Sequence, residues 1–138
     1  MNIYHTANEP EAGVLELHEQ IFGDCLQDRL SKKPATITTV ATSGDRVVGY
    51  KIGYPQNDRT FYSWLGGVDE RSRGQGIGKQ LMKAQHEYVK QHKYTTVETK
   101  TMNKWRGMLI LNIQSGFMIY GTHLNQEGEV MIMLRKQL

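Results

Sequence analysis

The stretch Val68-Asp69-Glu70-Arg71-Ser72-Arg73-Gly74-Gln75-Gly76-Ile77-Gly78-Lys79-Gln80-Leu81-Met82 decides how this chain is read. An apolar, aromatic run, Thr60 to Val68, leads into it, and apolar residues at helical spacing, Ile77, Leu81, Ala84 and Tyr88, lead out of it. The local unit is therefore strand, turn, helix. Gly74, Gly76 and Gly78 remove the Cβ atoms that would keep a ligand away from the backbone, and their amides are free to face an anion. A helix that starts here adds its unsatisfied first N–H groups and the positive end of its dipole, which makes the unit a phosphate cradle. Arg71, Arg73 and Lys79 add full positive charge.

Two common glycine-rich patterns fail here. Gly-x-Gly-x-x-Gly begun at Gly74 needs a glycine where Lys79 stands. Gly-x-x-x-x-Gly-Lys-Ser/Thr ending at Gly78-Lys79 needs a glycine at Arg73 and a hydroxyl at Gln80. The pattern that fits Arg73 to Gly78 is Arg/Gln-x-x-Gly-x-Gly/Ala. It resembles the acetyl-CoA pyrophosphate loop of the GNAT N-acetyltransferase family, including the apolar strand before it and the Gly-Lys-x-Leu-Met sequel.

The chain has 138 residues, of which 22% are charged and 38% hydrophobic, so one domain over 1–138 with a core that needs no staples is expected. The net charge of +3 comes from dispersed lysines and arginines. That suits an anionic ligand, but there is no long basic run, and nucleic acid is not expected as a partner. The single cysteine, Cys25, has no disulfide partner and no companion at metal-ligand spacing, so it reads as a small hydrophobe in a reducing compartment. No apolar stretch approaches the roughly 20 residues of a membrane span, and no basic-then-apolar leader opens the chain. A cytoplasmic protein is expected.

Along the chain, a brief strand precedes two short helices. Asn8 with Glu11 forms a capping pattern around Pro10, and Val14, Leu15, His18, Ile21 and Phe22 share one face. Gly23 ends the first helix. Asp24 with Gln27 repeats the capping pattern for a second helix that closes before Pro34. His18 reads as a packed histidine with one satisfied nitrogen. Thr36 to Thr42, Arg46 to Tyr54 and Thr60 to Val68 read as three antiparallel strands, with a bulge or splay at Gly66-Gly67. After the loop come a helix to about His92, a strand from Thr95 to Thr101 and a helix from Lys104 to Gln114. A final hairpin, Phe117 to Leu124 with Val130 to Leu134, turns around Gly128. This order is similar to the GNAT fold along essentially the whole chain. The resemblance implies an α/β (α+β) architecture with a central mixed, mostly antiparallel sheet of six or seven strands. About four helices flank it, and it splays between its fourth and fifth strands.

The resemblance also implies roles. Acetyl-CoA is the expected acyl donor, with no metal. Val68 would offer its backbone to the pantetheine amides. Arg73, Gly74, Gln75, Gly76, Ile77 and Gly78 would hold the pyrophosphate with Lys79 assisting, and Asn103 would touch the cofactor arm. An amine acceptor, small molecule or peptide, would approach from the opposite side of the split. Leu111-Asn112-Ile113-Gln114-Ser115-Gly116-Phe117 resembles the family's Leu-Tyr-Glu-Lys-x-Gly-Phe, with Asn112 where the family has a tyrosine acid. Gly116 and Phe117 read as a helix cap and a core aromatic. Glu98, on the strand beside the split, is the candidate base, and its competing reading is an exposed carboxylate beside Lys100. Tyr62, Ser63 and Trp64 are candidates for the acceptor pocket.

Asn112 can donate a hydrogen bond but has no proton to give. A thiol of pKa about 8.5 leaves tolerably without help, and positioning alone supplies several kcal/mol. Without a strong base, amines near pKa 7.7–8.0 are favoured over lysine-like amines or polyamines near about 10.4. Two functions follow: an acetyl-CoA-dependent N-acetyltransferase, or a non-catalytic CoA or acyl-CoA-binding sensor or scaffold of the same fold. Either is compatible with a homodimer.

Overall fold

The computed structural model describes residues 1–33 and 35–138. In chain order the elements are β1 (Asn2–Ala7), α1 (Ala12–Phe22), α2 (Leu26–Leu30), β2 (Ile37–Ser43), β3 (Arg46–Pro55), β4 (Thr60–Val68), α3 (Ile77–Gln91), β5 (Thr96–Met102), α4 (Arg106–Gln114), β6 (Met118–Leu124) and β7 (Val130–Gln137). A short 3-10 turn, Glu70–Ser72, joins β4 to the loop before α3. The seven strands form one sheet in the order β1-β2-β3-β4-β5-β7-β6. Among the described residues only β4 and β5 run parallel, as a crossover through α3 requires. The expected mixed sheet, four helices and open fourth-to-fifth junction are all present.

That junction is short. β4 and β5 pair only through Thr60↔Thr96, Phe61↔Val97 and Tyr62↔Glu98. Beyond it the Thr99 hydroxyl donates to the Ser63 carbonyl at 2.7 Å, a single side-chain stitch where the ladder stops. Of the bulge or splay expected at Gly66-Gly67, the splay is present, since β4 has parted from β5 after Tyr62, but the bulge lies earlier. The register shifts where Ile52↔Leu65 gives way to Gly53↔Ser63, so Trp64 is the extra residue, while Gly66 and Gly67 pair regularly with Lys51 and Tyr50. The physical reason is crowding: a Cβ on Gly53 would stand 2.2 Å from Phe61 Cε2, so the strands meet closely there.

Two cores sandwich the first half of the sheet. Val14 and Leu17 of α1 and Leu26 of α2 pack on Val40, Val47, Tyr50 and Ile52. On the other face Ile77 and Leu81 of α3 cover Ala41 and Val48. Met82 and Val89 continue that layer over Phe61, Val97, Leu134 and Phe117, with Leu109 and Leu111 of α4 at its margin. Each fully buried aliphatic of this kind contributes about 1.5–3 kcal/mol. Gly49 lets α3 approach, because a Cβ there would lie 2.9 Å from Leu81 Cδ1.

The helix starts differ from the sequence reading. α1 begins at Ala12 with Glu11 at its cap and no side-chain cap bond. Asn8 instead sits at φ 64 with its N–H on Thr36 O, and the Glu11 carboxylate accepts from Tyr4 Oη. Cys25, exposed and not packed, precedes α2. Asp24 is drawn away from capping because its carboxylate takes His18 Nε2 at 2.6 Å and Arg29 Nη2 at 2.5 Å. His18 is fully buried with both nitrogens partnered, the second to Tyr50 Oη at 2.5 Å. The expected stop at Pro34 lies outside the described residues. At the far end Gly116 (φ 101) closes α4. Its N–H bonds Ile113 O at 3.2 Å, and Phe117 N–H bonds Asn112 O at 3.0 Å before the ring enters the core.

Candidate active site

Because β4 and β5 are parallel, their carboxyl ends, Val68 and Met102, lie at the same edge of the sheet. The loop before α3 opens there. Gly74 and Gly76 both sit at φ 79, left-handed backbone that glycine adopts freely, and a Cβ on either would meet no protein atom within 4 Å. The space in front of these amides is therefore not taken by the protein. Gly76 is the N-cap of the 15-residue helix α3, whose first N–H groups and dipole face the same opening. Arg73, Gly74, Gln75, Gly76 and Lys79 are exposed, Gly78 is half-buried, and Ile77 is buried as the anchor that ties the loop to the core.

The charges around the loop are not equivalent. Asp69 accepts the Arg71 backbone N–H at 3.0 Å and its guanidinium at 3.3 and 3.1 Å, which holds the Asp69 carboxyl below its usual range. Arg71 is thus clipped to a carboxylate. Arg73 Nε donates to Val68 O at 3.1 Å. Since Asp69 N–H points to Val48 O on β3, alternation along β4 turns the N–H and C=O of Val68 the other way, toward the split. Part of the acceptor capacity of that carbonyl is already used by Arg73. Asn103 is exposed in the turn after β5.

On the face that carries α1 and α2, the ladder lines up one row across four strands: Tyr54↔Tyr62 between β3 and β4, Tyr62↔Glu98 between β4 and β5, and Glu98↔Arg135 between β5 and β7. Arg135 grips Glu98 Oε2 through Nε and Nη2, both at 2.8 Å, and stacks 4.0 Å over the Tyr120 ring. Glu98 is thus paired with Arg135, not Lys100. Burial, with smaller contributions from Tyr54, Tyr120 and Glu98, pushes the Tyr62 hydroxyl up to about 12, so it is a neutral donor. Tyr54 lies tilted against Tyr62 with ring centres 5.4 Å apart and meets Trp64 edge-on at 5.7 Å.

Behind the split, on the α3 face, lies a polar layer. Ser63 Oγ donates to Gln85 Oε1 at 3.0 Å, while Gln85 Nε2 and His86 Nε2 are buried without partners. Lys136 Nζ donates to His86 Nδ1 at 3.2 Å, and burial pushes His86 down to about 3. Lys51, opposite Gly66 and half-buried, reaches the same region, where its charge helps to lower His86, and burial pushes it down to about 8. Asn112 is buried on α4, next to Leu111, whose Cδ2 would lie 3.8 Å from a Cβ on Gly78.

Arg73 to Lys79 thus gather at one opening, with Val68 and Asn103 at the same edge, Glu98 on the opposite face and Asn112 inside. Ser63 leaves the acceptor face for Gln85. The sequence reading missed Tyr54, Tyr120, Arg135 and Lys51. The period of two in Tyr62 and Trp64 and the hairpin that places Tyr54 opposite Tyr62 were the available signals. Among the described residues no helix is long and apolar enough to cross a membrane.

The fold has close counterparts. A GNAT family acetyltransferase from Elizabethkingia anophelis with acetyl-CoA bound superposes with a TM-score of 0.81 at 22% identity, over 99% of both chains. An IAA acetyltransferase from Bacillus cereus gives 0.78 at 22% identity, over 99% of this chain and 100% of that one. The aminoglycoside 6'-N-acetyltransferase from Enterococcus faecium gives 0.81 at 14% identity, over 99% and 97%. No curated protein matches this chain in sequence. A family model described as the acetyltransferase (GNAT) family matches residues 2–106, most of the sheet together with the glycine loop. The chain belongs to the acetyltransferase (GNAT) family.

Proposed function

We propose that this protein transfers the acetyl group of acetyl-CoA directly to an amine that reaches the split from the Tyr62 and Glu98 face. The observation that carries the reading is the pair of left-handed glycines, Gly74 and Gly76, whose amides and helix N-terminus open beside a strand edge left unpaired from Ser63 to Val68. Bound there, acetyl-CoA supplies an activated acyl group with a thiolate leaving group. Arg73 to Lys79 hold its pyrophosphate through backbone amides and two cations. Val68 and Asn103 orient the arm. The thioester needs no metal.

On the acceptor side, Glu98 takes the proton from the amine, directly or through a water, while Arg135 holds the carboxylate in place. Neutral Tyr62 lies beside it as a donor. Asn112, from within, offers its amide to the departing sulfur or the carbonyl oxygen. A positioned base is worth about 10²–10⁴ in rate, and the alignment of thioester and amine supplies much of the rest. Thiol release from acetyl-CoA across a panel of amines tests the reading. Acetylated product is expected. Tight acetyl-CoA binding with no transfer to any amine would leave a sensor or scaffold role instead.

A further inference from the structure

We propose that the rings of Tyr54 and Trp64 form a subsite for an ammonium group of the acceptor, that Lys33 fills it in the free protein, and that the acceptors it selects are linear diamines. The inference rests on the acetyltransferase reading.

Lys33 Nζ stands 4.5 Å from the Tyr54 ring centre and 5.1 Å from that of Trp64, and it donates to Tyr54 Oη at 3.2 Å. Among the described residues it has no carboxylate partner. The two rings meet edge-on, with Tyr62 tilted against Tyr54, so an aromatic corner faces the cation. Ring faces attract alkylammonium ions electrostatically, and the attraction grows as water is excluded. The corner does not distinguish a lysine ammonium belonging to this chain from one belonging to an acceptor.

A nitrogen held over these rings is held as a cation, because the rings favour the charged form. It cannot be the nucleophile, which must be a free base. The acceptor therefore needs a second amine, and the row of side chains places it. Tyr54 and Trp64 lie on β3 and β4, and the split opens one strand further on, between β4 and β5 just past the Tyr62–Glu98 pair. Neighbouring strands are about 4.8 Å apart, so the two nitrogens are separated by one to two strand spacings, roughly 5–10 Å. A short run of methylenes spans this, with the remote ammonium over the rings and the near amine beside the Glu98 carboxylate. This shifts the acceptor class away from the low-pKa amines that proton arithmetic alone favours.

Lys33 has somewhere to go. A cleft of about 390 Å³ opens beside it, lined by Asn8, Glu9, Gln27, Leu30, Lys33 and Thr36. Glu9 there offers a carboxylate to an ammonium displaced from the rings. A diamine competes with the plug for the corner, whereas a monoamine has no second cation with which to do so.

The test compares wild type, Lys33→Met, Lys33→Arg and Trp64→Leu on 1,4-diaminobutane and n-butylamine with saturating acetyl-CoA. Lys33→Met is expected to lower KM for the diamine about tenfold, with kcat within about twofold and no change for the monoamine. Lys33→Arg keeps a cation over the rings and stays close to wild type. Trp64→Leu erases the preference for the diamine. Calorimetry without acetyl-CoA reads the corner independently: Lys33→Met binds tetramethylammonium but not its neutral isostere 3,3-dimethylbutan-1-ol, and Trp64→Leu in that background removes the binding. An unchanged diamine preference in both Lys33→Met and Trp64→Leu overturns the proposal, as does equal binding of the neutral isostere. If no amine is acetylated, the acetyltransferase reading fails and the diamine assignment with it, while tetramethylammonium binding still decides the ring subsite.

Discussion

The two sides of the β4–β5 split are built from different material. On one side stand seven consecutive residues, Arg73 to Lys79, proposed to act through main-chain amides set by two glycines at φ 79. On the other stand Lys33, Tyr54, Tyr62, Trp64, Glu98 and Arg135, side chains delivered by β3, β4, β5, β7 and the segment after α2. Main-chain amides are the same on every residue, so an anion site needs only the right backbone angles. A face of side chains needs the right residue at each of several distant positions. The first kind of site breaks at one atom, and the second degrades piece by piece.

The sharpest break is expected at Gly76. Valine there must hold a left-handed φ that costs a β-branched residue well over 1 kcal/mol, and its methyl groups fill the space in front of the amides. Affinity for CoA should fall more than about a hundredfold, with far-UV circular dichroism nearly unchanged, because a Cβ at Gly76 meets no protein atom. Calorimetry measures it. An unchanged affinity in a folded variant would show that backbone amides do not hold the pyrophosphate.

Behind the split, on the α3 face, lies His86, whose response is to pH. Its folded pKa of about 3 lies below the ordinary 6.5, so the unfolded chain takes up a proton first as pH falls. The stability is complete above 6.5 and is lost as pH drops through that value toward 3. By pH 4 the loss from this one group is about 3 kcal/mol. Urea unfolding of wild type and His86→Leu across that range should show the variant losing less. Parallel curves would mean that the histidine gains solvent or a partner when protonated.

Glu98→Gln tests the acceptor side. The expected cost is roughly a hundredfold in kcat/KM, with CoA affinity unmoved. In wild type the pH profile should level off well below the pKa of a lysine-like acceptor, about 10.4. In the variant it should climb toward that value. A variant that also loses CoA affinity would erase the distinction between the two sides.

What was legible in the sequence follows the same division. The loop and its helix could be read because glycine spacing, charge and apolar period lie within one short window. β4 was placed at its observed ends, Thr60–Val68, by its apolar run. The helix starts misled because tertiary partners take Asn8 and Asp24 elsewhere: the Asn8 backbone is held in a left-handed turn by its N–H on Thr36 O, and the Asp24 carboxylate takes His18 and Arg29. A bulge or splay was placed at Gly66-Gly67 because glycine pairs suggest one; the splay from β5 is there, yet the crowding of Gly53 against Phe61 puts the bulge at Trp64. Lys33 could not be found at all. Its meeting with Tyr54 and Trp64 exists only once β3 and β4 are paired.

The smallest effect is expected from Arg71, and it tests whether formal charge near the loop is the same as charge available to a ligand. The sequence sets Arg71, Arg73 and Lys79 side by side as equals. In the fold Arg71 is held by both oxygens of a nearly buried Asp69 carboxylate. Its charge is largely cancelled for an anion approaching the glycines. Arg73 bonds a neutral carbonyl and keeps its charge, and Lys79, in the first turn of α3, has no carboxylate partner among the described residues. Arg71→Ala should therefore change CoA affinity by less than about threefold and leave its salt dependence alone. Arg73→Ala and Lys79→Ala should each weaken binding by about fivefold or more at low salt, converging on wild type as salt rises and screening sets in. Calorimetry at two ionic strengths separates the three. If Arg71→Ala proves as costly as the others, the Asp69 clip must open on binding, and the loop would then be assembled by its ligand and not preformed.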